Sequence, residues 1–135
     1  MKTKNIRQSV TIKATPTDVY EALMDQKKHA KFTQHPAKIS RKVGGKFSAF
    51  DGYCGGVNLE LVEGKKIVQS WRPEDWPKDH LSTITYSLAK ALGGTKLTFT
   101  QTGIPEKFVD DMKNGWKEFY WVPLKAALEA GKKKA

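Results

Sequence analysis

Apolar and polar residues alternate over residues 5–14, where Ile6, Val10 and Ile12 share one phase and Gln8 breaks it, so the two-residue period predicts a strand with one wet face. A helix start follows. Thr15 can cap it, Pro16 suits the first helical position because its missing N–H would have no intrahelical partner there, and Asp18 can reach back as a shortened capping box. Val19, Tyr20, Leu23 and Met24 then share one helical face. Residues 28–32 predict a second short helix before the turn-forming His35-Pro36.

The middle of the chain reads as a meander. Gly44-Gly45 precedes a strand over 46–50, and Asp51-Gly52 and Gly55-Gly56 bracket a turn around Tyr53 and Cys54. Val57, Leu59 and Leu61 alternate with Asn58 and Glu60, which puts the three apolar residues on the inner face, and Glu63-Gly64 closes a hairpin. Further strands are expected over 67–72, 81–88 and 96–102, with a loop carrying Pro73 and Pro77 and a turn at Gly93-Gly94. After Gly103-Ile104 the period lengthens: Phe108, Val109, Met112, Trp116, Phe119, Tyr120, Leu124, Ala127 and Leu128 recur mostly at spacings of three and four. One long amphipathic helix is predicted, bent at Pro123, with Gly115 either a close backbone approach or a weak point. Strand, two helices, about six strands and a long helix make an α+β domain over 1–130, its antiparallel sheet covered by the last helix, with 131–135 a basic frayed tail.

Composition supports one globular core: 39% of the 135 residues are hydrophobic and 28% charged. The 24 Lys and Arg against 14 Asp and Glu give a formal charge of +10, which favours an acidic partner without saying which. The lysines are dispersed apart from Lys132, Lys133 and Lys134, as on a solvated surface, so no specific nucleic-acid site is expected. Cys54 is the sole cysteine and excludes an intramolecular disulfide, and no apolar run is long enough for a signal peptide or membrane span. The expected location is the cytoplasm.

Candidate chemistry is sparse. Cys54 with His29, His35 or His80 is the only nucleophile and base combination, but no active-site motif surrounds it, and its place between glycines predicts an exposed turn thiol. His29 and His35, six apart, do not have a helical metal spacing and are expected on the surface. Gly44-Gly45 is not followed by the helix of a phosphate loop, and Glu60 should face solvent rather than pair with Asp51. No catalytic residue, metal or cofactor is expected. Aromatic residues are more informative: Phe47, Trp71, Tyr86 and Phe99 lie on strands, and Trp116, Phe119 and Tyr120 on the helix that should oppose them. They can meet across one interior, as a solid core or as a pocket. Trp76, in a polar loop, is expected as an interface anchor or folded over the mouth of that interior.

The succession Gly44-Gly45-Lys46-Phe47, Phe50-Asp51-Gly52, Leu59-Glu60-Leu61-Val62, Ile67-Val68-Gln69-Ser70-Trp71-Arg72, Trp76-Pro77, His80-Leu81-Ser82-Thr83, Gly94-Thr95-Lys96-Leu97, Gly103-Ile104-Pro105 and Gly115-Trp116-Lys117 resembles a known family in order and spacing. That family is the activator of heat-shock protein 90 ATPase, specifically its C-terminal-type domain, within the START-related, pollen-allergen-like (SRPBCC) superfamily. The resemblance implies a helix-grip fold with a cavity between sheet and C-terminal helix, and no catalytic residues. Family members stimulate the chaperone ATPase with an additional N-terminal domain; this chain starts close to the first strand of the C-terminal-type domain, so full activation is not expected of it. The leading expectation is a non-enzymatic protein that binds an apolar or amphipathic small molecule. Its cavity would be lined by Phe47, Leu59, Trp71, Ile84, Tyr86 and Phe99 from the sheet and by Met112, Trp116, Phe119 and Tyr120 from the helix. A heat-shock protein 90 co-chaperone module is the alternative, and nucleic-acid binding through the basic surface a lesser one.

Overall fold

The computed structural model describes residues 2–133, with side chains through residue 130. Strand β1 (Thr3–Ile12) leads to helix α1 (Pro16–Met24), where the Thr15 hydroxyl accepts from the Asp18 N–H at 3.1 Å and Pro16 opens the first turn. Asp25 ends α1 and begins α2 (Gln26–Thr33): its Oδ1 accepts from the N–H groups of Lys27 and Lys28, both at 3.0 Å, and Gln34 closes the helix in the left-handed region.

Six strands follow: β2 (Lys38–Ile39), β3 (Lys46–Ala49), β4 (Cys54–Val62), β5 (Lys66–Pro73), β6 (Ser82–Ala91) and β7 (Gly94–Pro105). With β1 they form one seven-stranded sheet in the order β1-β7-β6-β5-β4-β3-β2, every neighbouring pair antiparallel. Alternate residues of the central strands point inward and are buried, Ile67 and Trp71 on β5, Ile84, Tyr86 and Leu88 on β6, Leu97 and Phe99 on β7. The register sets Tyr86 opposite Phe99 and Leu88 opposite Leu97. Burial of these large side chains beneath the helices is the main stabilising term.

That helix runs without a break from Glu106 to Lys133, as a short 3-10 turn (Glu106–Phe108), α3 (Val109–Trp116), a π-helical segment (Lys117–Trp121) and α4 (Val122–Lys133). The expected bend at Pro123 is taken up in the wide turn before it. Proline cannot donate to the carbonyl four residues back and its ring crowds that carbonyl; here the Val122 N–H reaches back five residues to the Lys117 carbonyl, and the ladder widens. The widening allows consecutive Tyr120 and Trp121 both to be buried. Helical backbone is described as far as Lys133, and residues 134–135 of the expected tail lie outside the described residues.

Gln8, the break in the first strand's alternation, ties β1 to this helix: its Oε1 accepts from Trp121 Nε1 at 2.7 Å and its Nε2 donates to the Lys113 carbonyl at 3.0 Å. Two strand expectations need correction. Gly55 and Gly56 lie within β4 rather than in a turn, because a side chain at Gly56 would overlap the Ser70 carbonyl of β5. The phase of β4 also departs from expectation at its centre, where Asn58, in phase with buried Cys54, is buried and Leu59 is 49% exposed; the register shift between Asn58 and Glu60 then returns Leu61 to the core side as expected. Asn58 is satisfied inside, its Nδ2 donating to the carbonyls of Ser40 (2.8 Å) and Lys42 (3.0 Å) and its Oδ1 accepting from Gln69 (2.9 Å). Glu60 faces solvent and meets Lys66 at 3.3 Å. Among the described residues no helix is long and apolar enough to cross a membrane.

Candidate functional site

Between the open end of the sheet and the C-terminal helix lies a cleft of about 480 Å³. One wall is built by Phe50 and Tyr53 of the β3–β4 turn, Cys54 at the start of β4, Trp71 of β5 and Asp75 of the β5–β6 loop. Asp111, Met112, Gly115 and Trp116 of α3 form the other, continued by Phe119 and Tyr120 of the π segment. The size falls within the range of small-molecule pockets, and the walls are mostly aromatic.

The floor is fixed by Trp71 and Trp116, whose ring centroids are 5.4 Å apart. A buried polar relay holds the pair. Trp116 Nε1 donates to Gln101 Oε1 (2.8 Å), Gln101 Nε2 donates to Ser82 Oγ (3.0 Å), and the Ser82 hydroxyl donates to the Trp71 carbonyl (2.8 Å). Trp76, expected at an interface or over the mouth, is instead 3% exposed and buttresses Trp71 from behind, edge-on at 5.6 Å. Its loop is held by the Arg72 guanidinium, which donates to the carbonyls of Trp76 (2.6 Å) and Pro77 (2.9 Å).

The turn that carries Phe50 is strained. Phe50 and Asp51 have φ of 54° and 56°, the left-handed region that a bulky residue such as phenylalanine rarely adopts. The Asp51 N–H donates to the Pro36 carbonyl at 2.9 Å, and the Phe50 ring is thereby laid against Tyr120 (5.7 Å) and Phe119 (6.0 Å).

Two carboxylates, Asp75 and Asp111, stand exposed at the rim, and the Tyr53 hydroxyl donates to Asp75 Oδ2 at 2.7 Å. Burial, with the Asp75 charge beside it, holds the Tyr53 phenol well above its ordinary range. Cys54 is buried rather than exposed on a turn, because β4 begins at it and its Sγ points toward the Ala49 carbonyl. Burial pushes its thiol up to about 12, so it stays a thiol and offers no nucleophile.

Beneath the cleft, between sheet, α1 and α2, a second void has a volume of only about 10 Å³, near the lower limit for one water. His29 borders it and is 5% exposed, which corrects its expected surface position. The Asp25 cap starts α2 so that His29 and Phe32 turn inward on Tyr120, with ring centroids 5.3 and 5.7 Å from that tyrosine. His29 Nδ1 lies 3.0 Å from the Leu23 carbonyl and Nε2 lies 2.9 Å from the Tyr120 hydroxyl. A carbonyl can only accept, so Nδ1 carries the proton and Nε2 accepts from the tyrosine. Desolvation lowers the imidazole to about 4, the Leu23 bond opposing it in part.

The residues expected to line one cavity are thus divided. Trp71, Met112, Trp116, Phe119 and Tyr120 line the cleft; Phe47 and Tyr86 border the small void; Ile84 and Phe99 are fully buried in the core; Leu59 is outside altogether. Phe50, Tyr53, Cys54, Asp75, Asp111 and Gly115 complete the cleft without having been expected there. Gly115 alone carried a sequence signal, as a glycine inside a helical pattern.

Residues 13–129 match the family model for "Activator of Hsp90 ATPase homolog 1-like protein". Over 126 residues the chain is 32% identical to human "Activator of 90 kDa heat shock protein ATPase homolog 1", covering 90% of this chain and 37% of the human protein. A Dictyostelium discoideum homologue of that activator is 37% identical over 118 residues, 85% of this chain and 30% of the relative. The chain therefore spans about a third of the length of these curated relatives. A solved HSP90 activator from Plasmodium falciparum superposes with a TM-score of 0.86 at 27% identity, covering 93% of this chain and 96% of that one. The Aha1 dimer from Colwellia psychrerythraea gives 0.83 at 25% identity, with 96% and 98% covered.

Proposed function

Because this chain belongs to the activator of Hsp90 ATPase homolog 1-like family, we propose that it is a protein-binding domain that engages heat-shock protein 90 in the manner of a co-chaperone. The observation that supports this most is the likeness to the Plasmodium falciparum HSP90 activator, which extends over 96% of that chain. The formal charge of +10 favours docking on an acidic face of the chaperone and makes the association salt-dependent. A titration against a cognate heat-shock protein 90, read by binding and by a coupled ATPase assay, tests it. Saturable binding that weakens with salt is expected. Absence of binding at micromolar concentrations and low salt defeats the proposal; several-fold stimulation by this chain alone makes it an activator outright.

The cleft favours a second reading, in which the domain also takes an apolar or amphipathic small molecule between sheet and helix. About 480 Å³ walled by aromatic rings supports it. A screen of apolar compounds against Trp71 and Trp116 emission and against melting temperature examines it directly. A ligand at a hundredfold excess over its dissociation constant stabilises by about 2.7 kcal/mol.

A further inference from the structure

We infer that the cleft selects an amphipathic cation, a small molecule with an apolar body and a protonated amine, an inference that rests on the second, ligand-binding reading above. The molecule as a whole is strongly basic, with 24 Lys and Arg against 14 Asp and Glu, yet among the described residues no Lys or Arg lines the cleft. Among the described residues, its only lining groups charged at neutral pH are the carboxylates Asp75 and Asp111, one contributed by each wall, and both stand at the rim. Asp75 is held in place by the Tyr53 hydroxyl at 2.7 Å. Below the rim the surfaces are aromatic rings, whose negative faces attract a cation and whose area takes an apolar body. An anionic amphiphile would be repelled at the rim, and a neutral one would gain at most a hydrogen bond there.

Gly115 is a separate sign that the space is meant to be occupied. It lies inside α3, where glycine weakens a helix relative to alanine, yet a Cβ built on it meets nothing within 4 Å and its φ is not in the left-handed region. Neither packing nor backbone conformation calls for glycine. The volume it leaves belongs to the cleft.

The test uses three probes of equal length, 4-phenylbutylamine, 4-phenylbutan-1-ol and 4-phenylbutyrate, titrated against tryptophan emission and melting temperature at neutral pH and physiological salt. The amine should bind about tenfold tighter than the alcohol, and the butyrate more weakly than either. In the double variant Asp75→Asn, Asp111→Asn, two exposed isosteric changes, the amine should lose most of its advantage over the alcohol, the remainder being the attraction of the aromatic faces. Gly115→Leu, which improves helix propensity while filling the cleft, should abolish binding of the amine and the alcohol without lowering the melting temperature. Amine and alcohol binding equally would overturn the charge selection and leave the ligand cleft standing. Preference for the butyrate would overturn it too, by showing that the overall basic charge dominates. No binding by any probe would remove both this inference and the reading it rests on.

Discussion

At His29, burial and two hydrogen bonds act on one ring. The folded state holds the imidazole neutral at about 4, against an ordinary value of 6.5, so between those values the unfolded chain binds the extra proton and folding loses stability as pH falls. The contribution is complete above pH 6.5 and is gone near pH 4; a shift of that size corresponds to roughly 3 kcal/mol. Urea denaturation at several pH values should show this slope, and His29→Gln should flatten it while lowering stability at pH 7. Equal slopes for the two proteins would mean that other groups carry the acid sensitivity. Gln101 belongs to the same scale. Gln101→Leu leaves the Trp116 indole N–H buried without its acceptor and deprives Ser82 Oγ of a donor, which should cost about 1–3 kcal/mol and shift the emission of Trp116. A chemical denaturation curve and an emission spectrum suffice to check it.

At the scale of elements, two glycines should respond in opposite directions to the same change. Gly115→Ala places a methyl group in open cleft and should stabilise α3 by about 0.5–1 kcal/mol. Gly56→Ala drives a methyl group into the Ser70 carbonyl of the neighbouring strand, and should destabilise by at least about 1–3 kcal/mol as β4 and β5 are forced apart. Thermal unfolding of both variants decides the pair, and stabilisation by Gly56→Ala would contradict the strand pairing. The same elements show what a sequence can disclose. Periodicity was enough for β5, β6 and β7, because their inward residues repeat without interruption, and for the existence of the long helix, but not for its π segment, where consecutive Tyr120 and Trp121 are buried. It failed at the centre of β4, where Asn58 shares the inner face with Cys54 and a bulge then returns Leu61 to that face, since buried amides satisfied by distant carbonyls leave no local pattern. The helical side of the cleft was legible for the same reason as the helix. Its other wall was not, because Phe50, Tyr53 and Asp75 sit on turns whose direction is set by left-handed backbone and by contacts remote in sequence.

For the whole molecule, the charge has two faces that should act independently. The basic residues outnumber the acidic by ten and are dispersed over the surface, so any polyanion experiences mainly a diffuse attraction that counterions weaken. The cleft presents the opposite sign through Asp75 and Asp111, exposed at its rim above aromatic walls. Single- and double-stranded oligonucleotides should therefore bind weakly and without sequence preference, with affinity falling by orders of magnitude as salt is raised from about 50 to about 200 mM. Because the amine is drawn to carboxylates that repel a polyanion, saturating oligonucleotide at low salt should leave the amine's effect on Trp71 and Trp116 in place. Fluorescence anisotropy of labelled oligonucleotides at two salt concentrations, repeated with and without 4-phenylbutylamine, measures both quantities. Sequence-selective binding that survives physiological salt would show a built nucleic-acid site. Displacement of the amine by the oligonucleotide would place that site at the cleft, where two carboxylates ought to repel it.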